Sequence, residues 1–142
     1  MTEFLSPALR LTGAGLITLA VLHVPIARHL RWREDSGHLS PVNHDIFHVH
    51  NFFICLVLVA IGLPCLIEPS LLLDRSRSGA WAAWTLAAFW FARLFCQWFV
   101  YRCELWRGKR FETAMHWLFT VIWTALTSLF TLCAARQSGW LE

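Results

Sequence analysis

The sequence predicts an all-α integral membrane protein: an antiparallel bundle of four transmembrane helices joined by short links. Three observations predict it. Of 142 residues, 57% are hydrophobic and only 15% are charged, whereas a soluble domain carries about 25% charged residues. Four long stretches are free of Asp, Glu, Lys and Arg, or broken by a single Arg. No stretch shows period-2 alternation, which leaves the helix as the spanning element that lipid allows.

The first uncharged stretch runs from Leu11 to Ala27, between Arg10 and Arg28. It reaches the roughly 20 residues of a span once Ala8 and Leu9 are added. No basic segment precedes Arg10 and no A-x-A site follows, so it reads as a retained helix over 8–27, not a cleaved signal peptide. The link over 28–41 is basic and carries Leu30 and Trp32, the composition of an amphipathic segment lying on headgroups. The stretch from Ile46 to Ile67 predicts a second helix over 45–67. The link from Glu68 to Arg77 contains Pro69 and the apolar run Leu71 to Leu73, which would dip into the opposite interface. The third stretch runs from Ser78 to Tyr101 with Arg93 inside it and predicts a helix over 79–101. The fourth, Thr113 to Ala135, predicts a helix over 113–135. The whole of 1–142 reads as one membrane domain.

Composition narrows the function. The net charge is +3, and the basic residues sit between apolar runs rather than on one face. That suits lipid headgroups and not a nucleic-acid partner. Five cysteines, an odd number with no CxxC pair, argue against a disulfide scaffold or a thiolate zinc site. Trp81, Trp84, Trp106, Trp117 and Trp140 lie near the ends of the apolar runs, as in an aromatic belt. No GxSxG, Walker, HExxH or GxGxxG motif occurs, and no carboxylate pair lies within a span. Whether the protein is an enzyme stays open.

Orientation follows from arginine bias. The first and third links hold Arg28, Arg31, Arg33, Arg102, Arg107, Lys109 and Arg110, seven in all. The other side holds Arg10, Arg75, Arg77 and Arg136, four. The positive-inside rule then places the two richer links in the cytoplasm of an inner or plasma-membrane type bilayer, with both termini outside.

The polar residues inside the spans are the informative ones. Counted from the cytoplasmic helix ends at 1.5 Å per residue, His23, His48, His50, Gln97 and His116 all fall roughly 5–8 Å deep. Arg93 lies one turn deeper than Gln97 on the same face. Buried ionisable groups are costly in lipid and face the bundle interior or a wet cavity. Arg93 cannot shed its proton. It needs an acceptor, from Asp45, Glu104 or Glu112 at the rim, from an anionic lipid, or from a bound anion such as a haem propionate. Imidazoles at one depth on facing helices suit Zn, Cu, Fe or haem. The preferred metal set is His23, His50 and His116, with His48 as an alternate and Arg93 and Gln97 as cofactor-binding residues. His48 and His50 point about 200° apart on a regular helix and cannot both serve one metal. An alternate rim site combines His44, Asp45 and His48, with Glu112. Each of these histidines can instead simply hydrogen-bond a neighbouring helix.

Two further patterns concern packing. Thr113, Thr120, Thr124, Thr127 and Thr131 share one face of the fourth helix with His116. That is either a polar path or small-residue packing. Gly13, Gly15 and the Ala83-xxx-Ala87 pair favour close helix approach.

Three functions fit these features. The preferred one is a small polytopic membrane protein binding a transition metal or haem at a cytoplasmic-side histidine cluster. The second is an accessory or assembly subunit of a larger membrane complex with structural histidines. The third is an oligomeric channel or transporter using the threonine face. The bilayer is the expected partner, together with other membrane subunits or further copies of the chain.

Overall fold

The computed structural model describes residues 2–141. It contains α1 (Thr2–His29), α2 (Trp32–Ser36), α3 (Pro41–Ile67), α4 (Ser70–Leu73), α5 (Arg77–Phe99) and α6 (Arg110–Gln137), with one 3₁₀ turn at Cys103–Leu105. No strand occurs among the described residues, in keeping with the all-α class. Among the described residues three helices are long and apolar enough to cross a membrane: Glu3–His29 of α1, α3 and α6. They point to a lipid bilayer environment. The third of the four predicted spans, α5, is not among them. At 23 residues it is about 34 Å long on a rise of 1.5 Å per residue. Arg77, Arg93 and Gln97, with four amphipathic tryptophans, lower its mean hydropathy.

α1 and α6 extend beyond their uncharged stretches at both ends and α3 at its start, whereas α5 ends at Phe99, two residues short of Tyr101; helix ends follow local backbone geometry and not charge. The basic segment 28–41 is divided among three elements: α1 continues to His29, α2 follows, and Pro41 opens α3 from the first helical turn, where its missing N–H costs nothing. Arg31 links α1 to α2 in a left-handed conformation, φ 54°, an uncommon one for a residue with a β-carbon. Ser76 caps α5 by accepting a hydrogen bond from the Gly79 amide. Gly139, φ 77°, ends α6. Its amide donates to the Arg136 carbonyl and that of Trp140 to the Ala135 carbonyl, the pairing of a Schellman cap.

The chain forms two compact units. One comprises Leu9–Pro69. Its centre is a backbone-on-backbone crossing: a β-carbon at Gly13 would stand 2.5 Å from the Gly62 carbonyl oxygen, and one at Gly62 would stand 2.9 Å from that of Gly13. Such closeness suits lipid, where helix association rests on packing contacts. Gly15, by contrast, faces open space. The Arg10 guanidinium donates to the Leu66 carbonyl at 2.8 Å, supplying a terminal α3 carbonyl with a donor. Short α2 is pinned to α3 by Trp32 edge-on to Phe47, centroids 5.8 Å apart.

The other unit combines residues up to Ala8 with the segment from Ser70 onward. Here α5 and α6 form an antiparallel pair. Ala83 and Ala87 are buried on α5. Trp123, Leu126, Phe130, Cys133 and Ala134 are buried on α6 at helical spacing. Leu5 is buried in this unit as well. At the far end the Gln137 side-chain carbonyl accepts from the Ser76 amide at 2.9 Å, and Arg136 donates to the Leu73 carbonyl.

Candidate functional site

Three arrangements of polar side chains stand out, and each lies within one unit. The first joins the ends of α5 and α6. Gln97 Nε2 donates to His116 Nδ1 at 2.9 Å, and both side chains are buried. With Nδ1 acting as acceptor, a neutral His116 carries its proton on Nε2. The imidazole lies flat against Trp106, centroids 4.2 Å apart and planes 10° apart. Thr113, at the mouth of the same turn, donates to the Trp106 carbonyl at 2.5 Å, and so fixes the link that carries the indole. Gln97 and His116 share one depth by sequence counting; Trp106 does not follow from it, because the link's path depends on its 3₁₀ turn.

The second arrangement is Arg93 among aromatic rings. Its Cζ stands 4.9 Å from the ring centroid of Trp123 and 5.6 Å from that of Tyr101, within the range of cation–π attraction. Among the described residues Arg93 has no carboxylate partner, and in its own unit neither Glu104 nor Glu112 pairs with it. Trp123 stacks in turn on Trp90, centroids 5.3 Å apart.

The third is a groove of about 670 Å³ between α1, α2 and α3. Ala20, Val24, Ala27, Phe52 and Cys55 give it apolar walls. At the α2 end it is lined by Arg28, Arg31 and Arg33. From Ala20 to Arg28 is eight residues, about 12 Å along α1, so the groove is apolar at one end and cationic at the other. Arg31 is paired with Glu34. Arg28 and Arg33 have no carboxylate partner among the described residues. His23 and His48 also line this groove. His23 donates from Nδ1 to the Leu19 carbonyl at 2.8 Å, leaving the lone pair on Nε2. His48 Nε2 meets Ser36 Oγ at 3.2 Å.

The remaining predicted residues go elsewhere. His50 is exposed and turned to the Ile46 carbonyl on its own helix, 2.9 Å away. It diverges from His48 as a regular helix requires, since α3 begins before both. His44 and His48 approach each other, centroids 4.5 Å apart, and Asp45 contacts His44 at 3.3 Å. Among the described residues no group of three or more His, Cys, Asp or Glu side chains gathers as a metal ion would need. Four of the threonines on α6 donate to the carbonyl four residues back: Thr120 to His116, Thr124 to Thr120, Thr127 to Trp123 and Thr131 to Thr127, all at 2.7–2.8 Å. Their hydroxyl protons are therefore engaged within the helix. Sequence reasoning missed Ser36 as the partner of His48. The signal was present only as a small polar residue between two charged ones and a glycine. No protein-family model, curated protein or solved structure matches the chain.

Proposed function

We propose that the chain is a four-span membrane protein, α5 included, that binds an anionic amphiphilic lipid in the groove between α1, α2 and α3. The observation that carries this reading is the polarity gradient along the groove: apolar walls at Ala20 and Phe52, and the unpaired cations Arg28 and Arg33 at the α2 end. A lipid with a phosphate headgroup matches both ends. The arginine count puts that end at the cytoplasmic surface, where anionic lipids attract basic side chains.

Each such contact is worth about 1 kcal/mol near a membrane surface. Removing both in an Arg28→Gln, Arg33→Gln variant should therefore weaken binding by about 2 kcal/mol, roughly 30-fold. Native mass spectrometry of the protein released from mixed phosphatidylglycerol and phosphatidylcholine nanodiscs reads this directly. Preferential retention of phosphatidylglycerol, lost in the double variant, is the expected result. Equal retention of both lipids by both proteins would overturn it.

One observation favours haem as an alternative amphiphile. His23 has its Nδ1–H anchored on a backbone carbonyl, the arrangement usual for a metal-ligating imidazole. It lines the groove that holds the arginines a propionate would need. Haem titration into the detergent-solubilised protein tests it: a Soret shift abolished by His23→Ala supports haem, and an unshifted spectrum discards it.

A further inference from the structure

Outside the groove, α5 and α6 collect hydrogen-bond donors without acceptors. The guanidinium of Arg93 has five N–H donors and a permanent charge. It is half-buried and makes no hydrogen bond or ion pair among the described residues. Its stacking on Trp123 and its approach to Tyr101 use the ring faces and leave the N–H edge unmatched. Trp90 and Trp123, 2% and 4% exposed, each bury an indole Nε1–H with no partner. Such donors are ordinarily satisfied. One fixed positive charge and two buried, unpartnered N–H groups thus sit on two adjacent helices, with the Trp123 ring in contact with both Arg93 and Trp90.

A negatively charged acceptor would match these donors. We propose that Arg93, Trp90 and Trp123 form a binding site for a phosphate-type oxyanion. Arginine matches such an anion through its planar fork. Tyr101 lies two residues beyond the end of α5 at Phe99, so the guanidinium reaches toward that end of the helix. That is the level at which a lipid headgroup or a free phosphate could arrive. The site uses only α5, α6 and Tyr101, and does not depend on the groove reading.

The test is the indole ¹H–¹⁵N spectrum of the protein in maltoside micelles, which contain no phosphate. Trp90→Phe and Trp123→Phe assign the two resonances. On titration with phosphatidylglycerol or with inorganic phosphate, at least one of them should move downfield. In Arg93→Gln the half-saturating concentration should rise about tenfold or more. Arg93→Lys, which keeps the charge but not the fork, should fall between. A response to the lipid alone identifies a headgroup site, and a response to inorganic phosphate identifies a free-anion site. Trp32 lines the groove and reports separately on it. If Trp32 shifts while Trp90 and Trp123 stay still, or if their shift persists undiminished in Arg93→Gln and Arg93→Lys, the oxyanion site is refuted.

Discussion

Gln97 and His116 show how a buried polar pair in a helical membrane protein is satisfied by one amide and one imidazole. Removing the amide in Gln97→Leu leaves His116 Nδ1 without its donor. A double-mutant cycle with His116→Leu should give a coupling of about 0.6–1.7 kcal/mol, the range of interhelical hydrogen bonds in membranes. Reversible unfolding in mixed SDS micelles measures it, and a coupling of zero would show that the contact carries no stability. Depth counting along the sequence makes this pair legible, because it needs only antiparallel neighbours and a rise of 1.5 Å per residue. The same counting says nothing about Trp106, whose stacking on His116 depends on how the link from Val100 to Lys109 folds. It is equally silent on Ser36 and His48, which meet across a sequence separation of twelve. His23 and His50 reach carbonyls of their own helices, His48 meets Ser36 and His116 meets Gln97, and hydrogen bonds of this kind leave no spacing signature.

At the level of the helix, the glycines and threonines separate two roles that look alike in sequence. Gly13 and Gly15 lie on the same helix, yet only Gly13 touches α3. Gly13→Ala drives a β-carbon into the Gly62 backbone and should cost about 1–3 kcal/mol, as overpacking does. Gly15→Ala meets nothing and should raise stability by roughly 0.5–1 kcal/mol through helix propensity alone. Thermal unfolding in detergent distinguishes them; equal shifts for the two variants would contradict the crossing. The threonine face of α6 behaves differently. Thr124→Val and Thr131→Val each remove a hydroxyl already bonded to its own helix, so stability should change by less than about 1 kcal/mol, and ion flux in liposomes should be unchanged. Loss of flux would mean that the stripe conducts. Helix existence was legible from the uncharged stretches. The ends were not, because Ser76 sets one with its side-chain hydroxyl and Gly139 another by backbone capping, both on the polar side of the boundary.

On the scale of the whole chain, the membrane class was legible from composition, whereas the number of spans was not settled by it. Arg93 and Gln97 put polar groups inside α5, although its length suffices. The four-span reading makes a direct prediction: Cys103, which is exposed, and a cysteine placed at Asp74 lie at opposite ends of α5 and should react with an impermeant maleimide from opposite faces of the membrane. Labelling of both from one face would mean that α5 does not cross. The unit built from α4, α5 and α6 also takes in the first turns of α1, with Leu5 buried in it. Those turns emerge from the ribosome before any of the residues they pack against. At about 5–20 residues per second, synthesis of the rest of the chain takes on the order of ten seconds. During that interval the N-terminal turns must wait in the bilayer, and assembly of this unit becomes a late, post-insertion event that a truncated nascent chain cannot complete.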